Sequence, residues 1–213
     1  MPLRFATHSK RVQKIAIEYG WQPSARYTNL RDVQDFDNVN FIDIDFKNYD
    51  FDKHLDAVKA TKPHLTVAQD VFHLDELDRT LEQAEQLNKH ADKVIIVPKA
   101  LGFEGILESA IPRNYILGFS VPTKYGGTEL NPKEFKRPVH LLGGRPDTQR
   151  ELGNLMNIYS FDCNRFTLDA KFGDYFVGTK FVPHPIGGYD NCIKDSIKMI
   201  NLLWENYSHE SKI

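Results

Sequence analysis

Phe41-Ile42-Asp43-Ile44-Asp45-Phe46 alternates strictly: the two isoleucines fall on one side of an extended chain and the two aspartates on the other. The outer face of a strand in an α/β barrel packs against helices and takes isoleucine. The aspartates are then expected to point into the barrel near its mouth, where such folds carry their chemistry. Thr66, Ala68 and Asp70 share the same parity in a second candidate strand, as do Ser160 and Asp162 in a third. A single strand-end aspartate reads most simply as a helix cap or the start of a turn. Three lumen-facing carboxylates on three strands call for another reason, because a buried carboxylate is costly unless it is paired or used.

Outward from this segment, which reads as a strand over Asn40–Phe46, seven more short apolar runs read as strands. They are Leu3–Thr7, a weaker Ser24–Thr28, Leu65–Asp70, Lys93–Lys99, Tyr115–Val121, Val139–Gly143 and Ile158–Cys163. Amphipathic segments alternate with them. Leu74, Leu77, Leu81, Ala84, Leu87 and Ala91 form one helical stripe, Lys10–Tyr19 gathers Val12, Ile15, Ala16 and Tyr19, and a C-terminal helix over 190–207 aligns Ile193, Ile197, Ile200 and Trp204. Strands alternating with helices predict an α/β fold with a parallel sheet. The length of 213 residues lies at the short end of what an eight-stranded barrel needs, so helices around 105–110 and 146–157 must be short. The expected architecture is a compact (β/α)8 TIM-type barrel, irregular at strands 1 and 2, in one domain over 1–213. Nearly every strand hands over to its loop with a polar residue or glycine: Asp45, Asp70, Lys99, Ser120, Gly143-Gly144, Asp162. In a barrel these converge on one mouth.

Composition narrows the classes. Lys and Arg number 27 against 29 Asp and Glu, a net charge of −2, which excludes a globally basic nucleic-acid coat and leaves a local basic groove open. No apolar run approaches the length of a membrane span, and the N-terminus lacks the apolar stretch of a signal peptide, so a soluble, cytoplasmic protein without membrane partners is expected. Two cysteines, Cys163 and Cys192, make neither a disulfide framework nor a four-ligand zinc site.

The segment His140-Leu141-Leu142-Gly143-Gly144-Arg145-Pro146-Asp147, a helix, and then Tyr159-Ser160-Phe161-Asp162-Cys163 resembles the tRNA-guanine transglycosylase (queuine/archaeosine) superfamily, whose strands read YLMGVG(K/T)P and DMFDC. The spacing from Leu142 to Cys163 matches without a gap. Leu117–Val121 looks like the family's GYAVGG strand, Ile95–Lys99 falls where it has VQG, Val67–Asp70 where a strand ends in FDE, and Asp45 with Tyr49 where it has DSGG(Y/F). The likeness runs in order over roughly residues 40–173. It implies Asp162 as the nucleophile that attacks the sugar C1′ and Asp45 as the acid/base that manages the proton of the base. It implies Asp70 as the reader of a guanine edge, Tyr49 and Leu142 as the sandwich around the base, and the backbone of Gly118–Val121, with Ser120, against its 6-oxo and 7-substituent side. Asp43 and Gly143 line the base site on this reading, and Lys171 stands for an arginine that holds the nucleic-acid backbone. Arg145 and Arg165 join it there. The residues themselves agree: expelling guanine needs one carboxylate at C1′ and a second as acid, the logic of glycoside hydrolysis, and a base in a pocket is read at its edge and by stacking.

The departures are equally informative. The family's zinc cluster and its tRNA-docking extensions are missing, and Lys99 replaces a base-reading glutamine, where it either admits an acidic group or pairs with an aspartate. Such a chain is similar to the compact transglycosylase relatives of phages, associated with 7-deazaguanine in DNA. The resemblance therefore implies exchange of guanine in a polynucleotide, DNA in preference to tRNA, for a 7-deazaguanine such as 7-cyano-7-deazaguanine (preQ0), with no cofactor. The rival expectations are a DNA or nucleoside glycosylase that hydrolyses the N-glycosidic bond, and a non-catalytic nucleic-acid-binding subunit of a modification complex. A homodimer or a partner subunit stays open. Elsewhere, Gly143–Pro146 reads either as a phosphate-binding turn or as a tight loop that needs glycine. Pro122-Thr123-Lys124-Tyr125-Gly126-Gly127 reads as a lid or a plain loop, Lys133–Arg137 as a solvated loop, and the stretch from Asn164 to Phe176 as basic and aromatic, half of its rings core. His140 is expected inside the barrel as a hydrogen-bonded structural residue.

Overall fold

All eight expected strands form, trimmed to short hydrogen-bonded stretches: β1 (Leu3–Phe5), β2 (Ser24–Arg26), β3 (Phe41–Asp43), β4 (Leu65–Val67), β5 (Lys93–Ile96), β6 (Ile116–Ser120), β7 (Val139–Leu142) and β8 (Ile158–Asp162). The structure is a computed structural model and describes residues 1–124 and 126–208. The strands are parallel throughout and hydrogen-bond in the order β1-β8-β7-β6-β5-β4-β3-β2. The circle is nearly closed, with one unsealed seam between β1 and β2.

The irregularity therefore falls at strands 1 and 2, and its local cause is visible. Across the seam a single parallel bridge joins Phe5 to Gln22, with Gln22 N–H donating to Arg4 O at 2.8 Å. The next residue is Pro23, which has no N–H to continue a ladder. The edge this leaves on β2 is covered from the helix α1 (Lys10–Glu18): the buried Gln13 amide donates to Ser24 O and accepts from Ser24 N. A side chain thus stands in for the missing strand pairing, satisfying groups that are expensive to bury bare.

Helices cover the outside. After β3, Asp50 caps α2 (Phe51–Thr61), its carboxylate accepting from Lys53 N at 3.2 Å. The apolar stripe of 74–91 becomes α3 (Leu77–Asn88), which buries Leu77, Ala84 and Leu87; Leu74 lies in a 3-10 turn before it and is exposed. Short α4 (Leu107–Ala110), α5 (Pro146–Leu152) and α6 (Arg165–Ala170) follow β5, β7 and β8, as the length required. The C-terminal helix α7 (Tyr189–Glu205) stacks Trp204 on Phe161 of β8 with ring centroids 5.0 Å apart. Its Asn201 accepts from both Trp21 Nε1 and Arg4, which braces the strand beside the seam. Between α6 and α7 an antiparallel hairpin of β9 (Asp174–Phe176) and β10 (Phe181–Pro183) takes up part of the aromatic stretch. Phe166 and Phe176 are core, and Phe172 is exposed. Among the described residues no helix is long and apolar enough to cross a membrane.

Candidate functional site

The C-terminal ends of the strands surround two adjoining hollows. A chamber of about 240 Å³ is bounded by Ile44, Phe46, Asp70, Lys99, Ser120 and Leu142. A cleft of about 940 Å³ opens over the ends of β1, β2 and β8, with His8, Arg26, Arg31, Arg145 and Arg165 on its walls. Asp43, Asp162, Arg26, Gly143 and Gly144 border both. Two carboxylates therefore stand where a small compartment meets a large, cation-lined one.

Asp162 ends β8 and follows Ser160 in parity. Its Oδ1 accepts from Gly143 N at 3.0 Å, and the turn that makes this possible needs two left-handed residues, Gly143 (φ 62°) and Gly144 (φ 88°). At Gly144 a Cβ would also lie 2.4 Å from Val121 Cγ1, so this turn is shaped by packing as well as by φ. Gln149 of α5, fully buried, donates from Nε2 to Gly143 O and to Asp162 O, both at 2.7 Å, and fastens the ends of β7 and β8 together. The phosphate-binding alternative for this turn meets an obstacle: Arg145 is held by Asp147 at 2.9 and 3.0 Å and also donates to Thr179 O.

Asp43 reaches the lumen by the expected alternation. Its strand neighbour Phe41 packs on Phe5 and His140, which lie across the barrel on β1 and β7. Burial first, and the Asp162 charge second, push the Asp43 carboxyl up to about 7, with Arg26, 3.9 Å away, pulling the other way. A carboxyl poised there is protonated in a large fraction of molecules at neutral pH and can give or take a proton.

Asp70 arrives by a route the alternation did not foresee. Thr66 faces outward, its hydroxyl bonded to Ile42 O and to His54 of α2. Along the β4–β5 ladder Ala68 N bonds Ile95 O, but Val71 N, not Asp70 N, bonds Val97 O. The extra residue is a bulge that resets the parity and turns Asp70 inward. There it pairs with Lys99 at 2.7 Å, both side chains largely buried. Burial raises the Asp70 carboxyl above its ordinary range, and Lys99 opposes that rise. Lys99 thus takes the aspartate-pairing alternative.

Several expected residues stand elsewhere. β3 ends at Asp43, so Asp45 lies in the following loop, accepts from Lys47 N at 3.1 Å, and borders neither hollow. Tyr49 packs behind the barrel wall: its hydroxyl bonds His54 Nδ1 at 3.1 Å and its ring meets Tyr27 edge-on. It borders neither hollow, whereas Phe46 is exposed and borders the chamber together with Asp70 and Lys99. Gly118 is an interior packing position, where a Cβ would lie 2.7 Å from Val97 Cγ2, while Ser120 and Leu142 do border the chamber. Arg165 is on the cleft wall but paired with Asp169 at 2.8 Å. Lys171 borders neither hollow; its charge, after burial, helps hold the nearby His8 below its ordinary value. Tyr125 of the proposed lid lies outside the described residues. Gln149 and Phe46 do not stand out in the sequence: a helix glutamine carries no signal of its own, and Phe46 reads only as the end of the strand candidate Asn40–Phe46.

Comparison with curated proteins finds no match for the chain. A family model described as a family of unknown function matches residues 16–205, which spans every strand of the barrel but the first, and the chain belongs to that family, DUF6610.

Proposed function

We propose that the protein exchanges guanine in a polynucleotide, DNA in preference to tRNA, for a 7-deazaguanine base. The observation that carries this reading is the position of Asp162 and Asp43 on the border between a small chamber with a charged reading pair, Asp70 and Lys99, and a larger cleft walled by cations. A base fits the first, and a sugar–phosphate chain suits the second. In the first step an Asp162 oxygen bonds to C1′ as the C1′–N bond breaks. The bonding pair leaves with the base, which takes a proton from Asp43. In the second step the incoming base gives its proton back to Asp43 and attacks C1′, and the Asp162–sugar ester breaks. Asp43 takes the acid/base role in place of Asp45 because Asp43 borders both hollows and Asp45 borders neither.

Incubation with DNA or with tRNA, together with labelled guanine or 7-cyano-7-deazaguanine, tests the reading. Incorporation of label that is lost in Asp162→Asn is expected. Release of free base without incorporation would point to a hydrolytic glycosylase, and neither release nor incorporation with either polymer would overturn the enzymatic reading.

A further inference from the structure

His140 of β7 has no exposed surface, and its ring lies against Phe41 at 5.0 Å and Phe5 at 6.2 Å between centroids. Nδ1 is 2.7 Å from Ser160 Oγ. Nε2 has no hydrogen-bond partner, although it is fully buried, and stands 3.6 Å from Asp162 Oδ1. A ring nitrogen buried without a partner is costly, and a core position filled only for packing is better served by an apolar ring. The tautomer follows from the surroundings. A bare lone pair on Nε2 would face a carboxylate oxygen, so the proton resides on Nε2 and the Ser160 hydroxyl donates to Nδ1.

The geometry points to His140 as a positioning residue for Asp162, its Nε2–H closing on Oδ1 when substrate is bound. This inference rests on the reading of Asp162 as the nucleophile. Oδ1 already accepts from Gly143 N–H at 3.0 Å, so both donors converge on one oxygen and leave Oδ2 to form the bond to C1′. In the sugar ester Oδ1 becomes the carbonyl oxygen. When the incoming base displaces the sugar, the electron pair of the C1′–O bond returns to the carboxylate, and the two donors stabilise the charge that reappears. The chain Ser160 Oγ–H to His140, and His140 to Asp162, therefore aims the nucleophile and assists its departure. Hydrogen bonds at such sites are commonly long before substrate arrives and tighten afterwards.

The test compares wild type with His140→Phe, which keeps a ring in the core without a donor, His140→Gln, which keeps a donor, and Ser160→Ala. Two quantities are read: exchange kinetics, and the titration midpoint of the Asp162 carboxyl by 13C NMR, assigned by its absence in Asp162→Asn. Among the described residues His140, Gly143 N–H and the Asp43 carboxyl act on that carboxyl and the Arg26 guanidinium borders the same hollows, so the midpoint is also recorded in Asp43→Asn to separate the two carboxyls. His140→Phe is expected to lower kcat about 10- to 100-fold with KM within about twofold, and to raise the Asp162 midpoint. His140→Gln should recover part of both, and Ser160→Ala should show a smaller loss of both. An unchanged midpoint and an unchanged kcat in a folded His140→Phe would overturn the inference and leave His140 a packing residue. If wild type shows no exchange but the midpoint still moves in His140→Phe, the proposed function fails while the coupling of His140 to Asp162 stands.

Discussion

At the scale of single residues the two site carboxylates are set apart by their surroundings. Asp162 holds a backbone N–H on Oδ1 at the mouth of the cleft, whereas burial beside it pushes the Asp43 carboxyl up to about 7. If Asp43 delivers the proton, kcat/KM of the wild type falls as pH rises through about 7, and Asp43→Asn removes that limb along with most of the activity. The same shift bears on stability. The folded value lies above the ordinary carboxylate value, so between about pH 4 and pH 7 the folded protein binds more protons than the unfolded chain, and stability is lost as pH rises through that window. Asp43→Asn is therefore expected to stabilise the fold, by on the order of 1–3 kcal/mol at pH 8 and little at pH 4, which thermal melts at the two pH values will read. An equal effect at both would contradict the burial of a poised carboxyl. Asp43 and Asp162 were legible from their strand parity. Asp45 shares that parity, but it lies two residues beyond the last ladder position, and alternation has no force once the strand has ended.

At the scale of elements, the ends of β7 and β8 and the turn between β7 and α5 act together. Gly143→Ala introduces strain at φ 62° into open space, whereas Gly144→Ala combines φ 88° with a Cβ 2.4 Å from Val121. The first is expected to cost about 1 kcal/mol and the second at least about 2 kcal/mol in chemical unfolding. Comparable costs would mean that Val121 moves freely aside. Gln149→Leu leaves two carbonyls without their donor and is expected to destabilise by about 1–3 kcal/mol and to lower activity by loosening Asp162. Strand identity was readable because eight apolar runs are bounded by polar residues and glycines. The parity reset just after β4 was not, because a bulge is a property of the ladder between Ala68 and Val71 and Ile95 and Val97, and no residue type in Val67–Val71 demands it. Tyr49 illustrates the same limit: the resemblance placed it at the base, but its hydroxyl bonds the buried His54, which in turn bonds Thr66 on the outer side of β4.

For the whole molecule the governing feature is the seam. The barrel closes everywhere by strand pairing except between β1 and β2, where a bridge and the Gln13 amide substitute for a ladder, and the large cleft opens above this gap. Amides of β1 and β2 should therefore exchange with solvent faster than those of β6 to β8. Gln13→Ala should widen that difference and destabilise by about 1–3 kcal/mol; uniform protection around the sheet would contradict an unsealed seam. The short length predicted a barrel with reduced helices, and α4, α5 and α6 are the ones reduced. The hairpin β9–β10 escaped the reading because its aromatics serve two ends, Phe176 in the core and Phe181 beneath Arg145 and Arg165. Everything proposed for this site depends on Asp162 bonding to a sugar carbon of a polynucleotide. Denaturing electrophoresis and intact-mass measurement of the protein incubated with guanine-containing DNA or tRNA test it most directly. The expected result is a covalent protein–polynucleotide adduct that dissolves when free base is added and is absent in Asp162→Asn. An adduct that persists in Asp162→Asn, or base exchange that proceeds in that variant, would contradict it.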